Sequence, residues 1–271
     1  MDIRTLLRQY DLKPKRSLGQ NFLADPGALD KIASAAELSR DDAVLEIGPG
    51  LGTLTAVLAQ RARRVVAVEI DDRFLHPLTH ILEPYANVDL VHGDILTLEP
   101  GELMGGEPYK VAANVPYYIT APILRHLVEA AARPALMVLT VQAEVAERLS
   151  ARPDDMSLLA VSVQVYGQVQ IVGRIKAGAF YPSPGVDSAV VRIDLRNPPP
   201  LDIADHAAFF KVVRAGFGQK RKQLKNTLSA VLGRPVSGVV AALESAGVDP
   251  SRRAETLSLA EWAAVVKALN A

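Results

Sequence analysis

Residues 44–55 read VLEIGPGLGTLT. A short apolar run leads into three glycines, Gly48, Gly50 and Gly52, and then into a helical stretch whose first turn carries Thr53 and Thr55. Glycine is wanted at such a corner because the turn needs positive φ and a ligand must approach the backbone with no Cβ in the way. A strand, a glycine turn and a helix form the opening unit of a parallel α/β sheet. Taken alone, the same turn also serves as a tight connection with no ligand.

The sequence downstream repeats the alternation. VVAVE, VDLVHGD, KVAANVP and ALMVLTV read as further strands buried on both faces, and TLTAVLAQRAR, DDRFLHPLTHIL and APILRHLVEAA as the helices between them, with apolar residues three and four apart. Strands separated by helices imply a mostly parallel, doubly wound sheet, whose ligands lie beyond the carboxyl ends of the strands. Residues 157–175 are ambiguous: SLLAVSVQVYG fits a buried helix and VQIVGRI a strand, and periodicity does not decide between them. VDSAVVRIDL is a clearer strand. The run NPPP at 197–200 removes ladder donors and favours an extended connector, so the expected domains are 1–196 and 197–271. The second reads as short amphipathic helices broken at GRP and GVDPS.

Composition bounds the rest. The chain has 271 residues, 49% of them apolar, which is enough for one full domain and a smaller helical one. Cysteine is absent, so disulfides, thiolate metal sites and cysteine nucleophiles are excluded. The stretch MDIRTLLRQYDLKPKR meets charge before a signal-peptide core can form, and no apolar run approaches the ~20 residues of a membrane span. A cytoplasmic protein is expected. The five histidines are scattered, His76 and His80 have no evident third ligand, and no catalytic metal is expected.

Spacing narrows the ligand. In a dinucleotide fingerprint the third glycine falls one residue later than here, and the loop lacks the lysine and hydroxyl of a phosphate-binding loop. Glu69 ends the second strand about 20 residues after Gly48, where a carboxylate accepts both hydroxyls of a ribose. Asp94 falls past the third strand in VHGDIL, placed to accept from an adenine amino group, with Ile95 beside it to pack on the ring; taken singly, it reads as a turn residue or helix cap before it reads as a ligand. Three successive strand ends carrying glycines, Glu69 and Asp94 describe an adenosine site without a phosphate cradle, which suits S-adenosylmethionine.

The fourth strand ends in NVPYYIT, residues 114–120. An exocyclic adenine amine is a poor nucleophile because its lone pair is delocalised into the ring. The Asn114 amide oxygen and the Val115 carbonyl can accept both amino hydrogens, turning the lone pair toward an incoming methyl by positioning and electrostatics. Pro116 would hold the turn, and Tyr117 would offer a flat face worth about 1 to 3 kcal/mol of stacking to an unstacked base.

These stretches, with KRSLGQNFLAD at 15–25, VEID at 68–71, FYPSPGVDSAVVR at 180–192 and GQKRKQLKNTL at 218–228, carry a resemblance. From about residue 13 to the terminal helices the chain resembles the small-subunit (16S) ribosomal RNA adenine N6,N6-dimethyltransferases, the KsgA type, within the Rossmann-like class I methyltransferases. That resemblance implies cofactor contacts from Asn21, Leu23, Gly48, Gly50, Glu69, Asp94, Ile95 and Asn114. It also implies a transfer site of Asn114, Val115 and Tyr117, with Phe180 closing over the target adenine. The implied reaction dimethylates two adjacent adenines near the 3′ end of small-subunit rRNA during ribosome assembly. The sequence departs from the family at Val115, where leucine is common, and at Gly185, where a lysine often contacts RNA.

Net charge is zero, with 30 basic and 30 acidic residues, but its distribution is uneven. Lys211, Arg214, Lys220, Arg221, Lys222 and Lys225 fall between Phe209 and Lys225 with no acid among them, and Lys13, Lys15 and Arg16 form a second cluster. Such a run is usually a solvated helix face; in an enzyme that grips RNA, Lys220, Arg221, Lys222 and Lys225 become candidate phosphate contacts. A pre-ribosomal small subunit is the expected partner, met by a monomer. Three readings stay open beside this one: an enzyme acting on large-subunit rRNA, an oxidoreductase on a similar fold, and an assembly factor acting mainly by binding.

Overall fold

The computed structural model describes residues 2–196, 199, 201, 203–219 and 221–270. Its elements run in the order α1 (Ile3–Gln9), β1 (Phe22–Leu23), α2 (Pro26–Ala35), β2 (Ala43–Ile47), α3 (Thr53–Arg61), β3 (Arg64–Glu69), α4 (Leu75–Leu82), β4 (Val88–His92) and α5 (Pro100–Leu103). They continue with β5 (Tyr109–Asn114), α6 (Thr120–Glu129), β6 (Leu136–Gln142), α7 (Ala143–Leu149), α8 (Leu158–Gln164), β7 (Gln168–Ile175), β8 (Phe180–Tyr181) and β9 (Ser188–Asp194). Four helices follow: α9 (His206–Phe217), α10 (Leu224–Leu232), α11 (Val236–Ser245) and α12 (Leu259–Asn270). All five strands expected from the alternating pattern are present, and so are the three helices between them.

Seven strands form one sheet in the order β4-β3-β2-β5-β6-β9-β7. The β4-β3, β3-β2, β2-β5 and β5-β6 pairings are parallel, and β9 runs antiparallel to β6. The chain winds outward from β2 through β3 to β4, then returns to start β5 on the other side of β2. Order reverses between those two central strands, which is where a crevice opens at the carboxyl edge of a doubly wound sheet. Every residue of β2 is buried, as a central parallel strand covered on both faces demands. A separate two-stranded ladder pairs β1 with β8, Phe22 opposite Tyr181 and Leu23 opposite Phe180.

The chain divides into two compact units, Met1–Ala146 with Val169–Asn197, and Glu147–Gln168 with Pro198–Ala271. The expected boundary at 197–200 is therefore incomplete, although most of the NPPP run lies outside the described residues. Residues 147–168 belong with the helical unit, and side-chain packing is the reason. The ambiguous segment resolves into α8 followed by β7, and the Tyr166 ring just after α8 stacks on His206 of α9, centroids 5.2 Å apart and planes 5° apart. The backbone N–H groups of Asp154 and Met156 donate to the Glu255 carbonyl at 3.1 and 3.0 Å. Inside this unit Trp262 is fully buried against Phe217. Gly216 is required there, since a Cβ would fall 2.4 Å from the Trp262 ring.

Candidate active site

Four strand ends and the segment before β1 enclose one cavity in the first unit. Gly48 and Gly50 line it from the turn after β2, Glu69 and Ile70 from the end of β3, Asp94 and Ile95 from beyond β4, and Asn114 to Ile119 from beyond β5; Leu18 to Phe22 close it. Both glycines adopt the left-handed region, at φ 69° and 57°. Their surroundings differ. A Cβ at Gly50 would sit 2.8 Å from the Phe22 ring, whereas one at Gly48 would meet nothing within 4 Å, so Gly48 leaves the backbone bare toward the cavity.

Glu69 is 4% exposed. One carboxylate oxygen accepts from the Gly50 N–H at 3.0 Å and the other from the Asp71 N–H at 2.9 Å. Burial raises its pKa, and the Asp71 charge adds to that, while the N–H groups of Asp71, Gly50 and Ile70 oppose it. A carboxylate offers about four acceptor positions, so lone pairs remain for a ribose diol after these two bonds. Asp94 accepts from the Leu96 N–H at 3.0 Å through one oxygen, the turn role, and still lines the cavity. A cavity with bare backbone at Gly48, a buried acid at β3, an acid past β4 and the apolar Ile70 and Ile95 fits the adenosine of S-adenosylmethionine.

Asn114 sits where this wall meets the next. Its amide Nδ2 donates 3.0 Å to the Asn21 carbonyl, which fixes the amide orientation and leaves Oδ1 as the acceptor. Val115 is buried behind it, and Pro116 leads into a short 3-10 turn over Tyr117–Ile119. The Tyr117 hydroxyl shares a 2.6 Å hydrogen bond with Ser188 Oγ. Gly19 lies against the Tyr118 ring, 3.1 Å from the position a Cβ would take, which packs the N-terminal segment onto Tyr118 and Pro116.

That segment is tied down from below by Asp71, whose side chain is buried. Gln20 Nε2 and the Arg73 guanidinium donate to it at 2.9 Å and 2.6 Å, and Arg73 also donates to the Lys13 carbonyl at 3.2 Å. The Arg73 guanidinium and Gln20 hold the Asp71 carboxyl well below the usual carboxylate range against the cost of burial. The Asp71 N–H is the group that also binds Glu69. One residue thus joins the cofactor acid to the segment closing the cavity.

Nine expected residues meet here: Asn21, Gly48, Gly50, Glu69, Asp94, Ile95, Asn114, Val115 and Tyr117. Two do not. Leu23 and Phe180 face each other across the β1-β8 ladder, which turns both into an apolar cluster with Leu29, Ile32 and Val190; they are 2% and 4% exposed. Leu23 contributes only a carbonyl, which accepts from the Thr53 hydroxyl at 3.1 Å. Phe180 is not a wall of the cavity. Ile70 was missed, although the sequence carries a signal for it, an apolar residue directly after the acid that ends a strand; in the structure it is 49% exposed. The roles of Asp71 and Ser188 gave no such signal, because Gln20, which ties Asp71 to the closing segment, is 51 residues from it and Tyr117 is 71 residues from Ser188.

In the basic segment of the second unit, α9 buries Phe209, Phe210, Val212 and Val213 and exposes Lys211 and Arg214. Arg221 and Lys222 are exposed, Lys225 is half-buried, and Lys220 lies outside the described residues. Among the described residues, no group of three or more His, Cys, Asp or Glu side chains is placed to hold a metal ion.

A family profile described as Ribosomal RNA adenine dimethylase matches residues 11–271. A relative from Dehalococcoides mccartyi, named ribosomal RNA small subunit methyltransferase A, is 46% identical over 260 residues, covering 96% of this chain and 89% of its own length. Two solved structures are also similar over most of the chain. A dimethyladenosine transferase from Plasmodium falciparum is 26% identical with a TM-score of 0.78, covering 92% of this chain and 97% of that one. The 23S rRNA methyltransferase ErmE is 31% identical with a TM-score of 0.75, covering 93% and 100%. With a profile match that runs almost end to end and a cavity suited to S-adenosylmethionine, the chain belongs to the ribosomal RNA adenine dimethylase family of methyltransferases.

Proposed function

We propose that this enzyme transfers methyl groups from S-adenosylmethionine to the N6 amines of two adjacent adenosines near the 3′ end of small-subunit rRNA, on a precursor of the small ribosomal subunit. The observation that carries this reading is the tether of Asn114. With Nδ2 committed to the Asn21 carbonyl, Oδ1 is held as an acceptor on the cavity that Glu69 and Asp94 also line. An amino group bound there donates to Asn114 Oδ1 and to the Val115 carbonyl, so its lone pair points away from both acceptors. S-adenosylmethionine, when bound, supplies an electrophilic methyl. A strong base is not needed before transfer, because the attacking amine is neutral. Once the cationic product of the first transfer has lost a proton to solvent, the monomethylated amine retains one hydrogen for Asn114, which allows a second addition at the same site.

The Tyr117 ring offers a stacking surface to the unstacked base, and burial raises its hydroxyl pKa, with Ser188 opposing, so the ring stays neutral. Small-subunit specificity is supported by the 46% identity to a small-subunit relative, against 31% to a 23S enzyme. The exposed cations on and after α9 support an RNA partner. The proposal includes a monomer acting in the cytoplasm, tested by sedimentation and by cell fractionation.

The central experiment mixes the protein with labelled S-adenosylmethionine and unmethylated small subunits and locates modified nucleosides by mass spectrometry. N6,N6-dimethyladenosine at two adjacent 3′-end adenosines is expected. Transfer to large-subunit RNA alone would replace the reading.

A further inference from the structure

The Tyr117 hydroxyl has no role in the chemistry above, yet it is the most firmly held group on the target side. Its partner Ser188 is fully buried, and the bond between them is 2.6 Å long. A buried hydroxyl kept only for packing is replaceable by a methyl-bearing side chain. One pointed at a cavity-lining aromatic constrains that ring instead.

The sheet determines where the constraint acts. Asn114 at the end of β5 is in register with Thr140 of β6, and Gln142, two residues further along β6, is in register with Ser188 of β9. Two residues of strand span about 7 Å. The acceptor amide and the ring anchor are therefore set apart by strand register, which side-chain motion does not change. Ser188 itself opens β9 opposite Gln142 and follows a pinned residue. Its predecessor Asp187 accepts from the Ala177 N–H at 3.0 Å and from Lys176 Nζ at 2.8 Å, and the Asp187 carbonyl accepts from the Ala143 N–H at 3.0 Å. Tyr117, by contrast, rides on a three-residue 3-10 turn. A short irregular turn does not by itself fix the χ1 of an aromatic side chain; a hydrogen bond at the far end of the ring does.

We propose that Ser188 is a positioning residue for methyl transfer. By holding the Tyr117 hydroxyl it fixes the plane on which the target adenine stacks, at a distance from Asn114 measured out by the β5-β6-β9 register. The inference rests on the proposed adenine N6 transfer. Ser188 touches neither cofactor nor base, so its loss slows transfer and leaves cofactor affinity alone.

The test measures single-turnover methylation of unmethylated small subunits, and S-adenosylmethionine binding by calorimetry, for the wild type and for Ser188→Ala, Tyr117→Phe and the double variant. Ser188→Ala should lower the transfer rate on the order of ten-fold with the cofactor Kd within about two-fold of wild type. Tyr117→Phe keeps the ring and loses the same bond, so it should reproduce that loss. The double variant should be no slower than either single one, because both delete one interaction. Additive losses, or a Ser188→Ala protein transferring at the wild-type rate, would overturn the inference. Tyr117→Phe leaves the buried serine in place, so it tests the bond even if Ser188→Ala folds poorly. A wild type that binds cofactor yet methylates no small-subunit adenosine would instead refute the proposed function.

Discussion

The two walls of the cavity are built differently. On the cofactor side, Gly50, Glu69 and Asp71 hold one another across 19 residues and 2 residues of chain, through backbone N–H groups meeting one carboxylate. On the target side, Asn114 reaches Asn21 over 93 residues and Tyr117 reaches Ser188 over 71, each through a side chain. The first wall comes from the ends of adjacent parallel strands and is formed whenever the sheet is. The second is assembled from the N-terminal segment, the turn after β5 and the start of β9, and its geometry depends on a few individual hydrogen bonds. Substitutions on the two walls should therefore fail in different ways: cofactor affinity on one, turnover on the other.

The largest expected effect is on the target wall. Asn114→Ala removes the acceptor that orients the amine and should lower the single-turnover rate about 10² to 10³ fold. Cofactor binding should stay within a few-fold of wild type by calorimetry. If Asn114→Ala lost affinity and rate together, the two walls would not be separable. Next comes Glu69→Ala, which strands the Gly50 and Asp71 N–H groups and removes the ribose acceptor. The cofactor Kd should rise about 10 to 100 fold, while Tyr117→Ala leaves it near the wild-type value and slows transfer. Equal losses of affinity in Glu69→Ala and Tyr117→Ala would sink the division.

The cofactor wall also stands on a buried acid next to the carboxyl end of β2. Glu46 is 1% exposed, and one of its oxygens has no hydrogen-bond partner among the described residues. Burial pushes its carboxyl up to about 8, with the Glu69 charge adding to the shift and the Thr55 hydroxyl opposing it. Its ordinary value is 4.5, so between there and about 8 the folded protein binds a proton that the unfolded chain has released. Stability contributed by this group is then present at low pH and lost as pH rises through that window. Glu46→Gln, which cannot ionise, should melt close to wild type at pH 5 and above it at pH 8, a difference on the order of a few kcal/mol. Parallel melting curves across that range would mean that Glu46 finds a partner the fold does not account for.

What could be read from the chain follows the same division. The strand ends were legible because periodicity locates strands, and topology then brings Gly48, Glu69, Asp94 and Asn114 to one edge without any knowledge of side-chain contacts. The Asp71 clamp and the Ser188 anchor were not, since nothing local distinguishes a buried aspartate or serine from a turn residue until its partner is placed. Phe180, placed at the target by the resemblance, lies off the cavity for a related reason: a two-residue ladder with β1 decides which way its ring points, and no periodicity extends over so short a strand. Residues 147–168 were misassigned because apolar content alone did not indicate which core Tyr166 would join.

The smallest expected effect separates the two basic clusters. Lys15 lies 3.5 Å from the buried Asp71 carboxylate, so part of its charge is already spent within the fold, on the segment that closes the cavity. Arg221 and Lys222 are exposed and have no acidic partner among the described residues. Phosphate contacts release counterions, so each one adds to the slope of log affinity against log salt, by about 0.7 to 0.9. Replacing Arg221 and Lys222 by alanine should weaken small-subunit binding several-fold near physiological salt and flatten that slope by about 1.5, with the transfer rate at saturating subunits preserved. Lys15→Ala should leave the slope nearly unchanged and slow transfer slightly, because it loosens the segment carrying Gln20 and Asn21. The reverse pattern, a flattened slope for Lys15→Ala and none for the pair, would place the phosphate contacts beside the cavity instead, and the target wall would then grip the RNA backbone as well as orient the base.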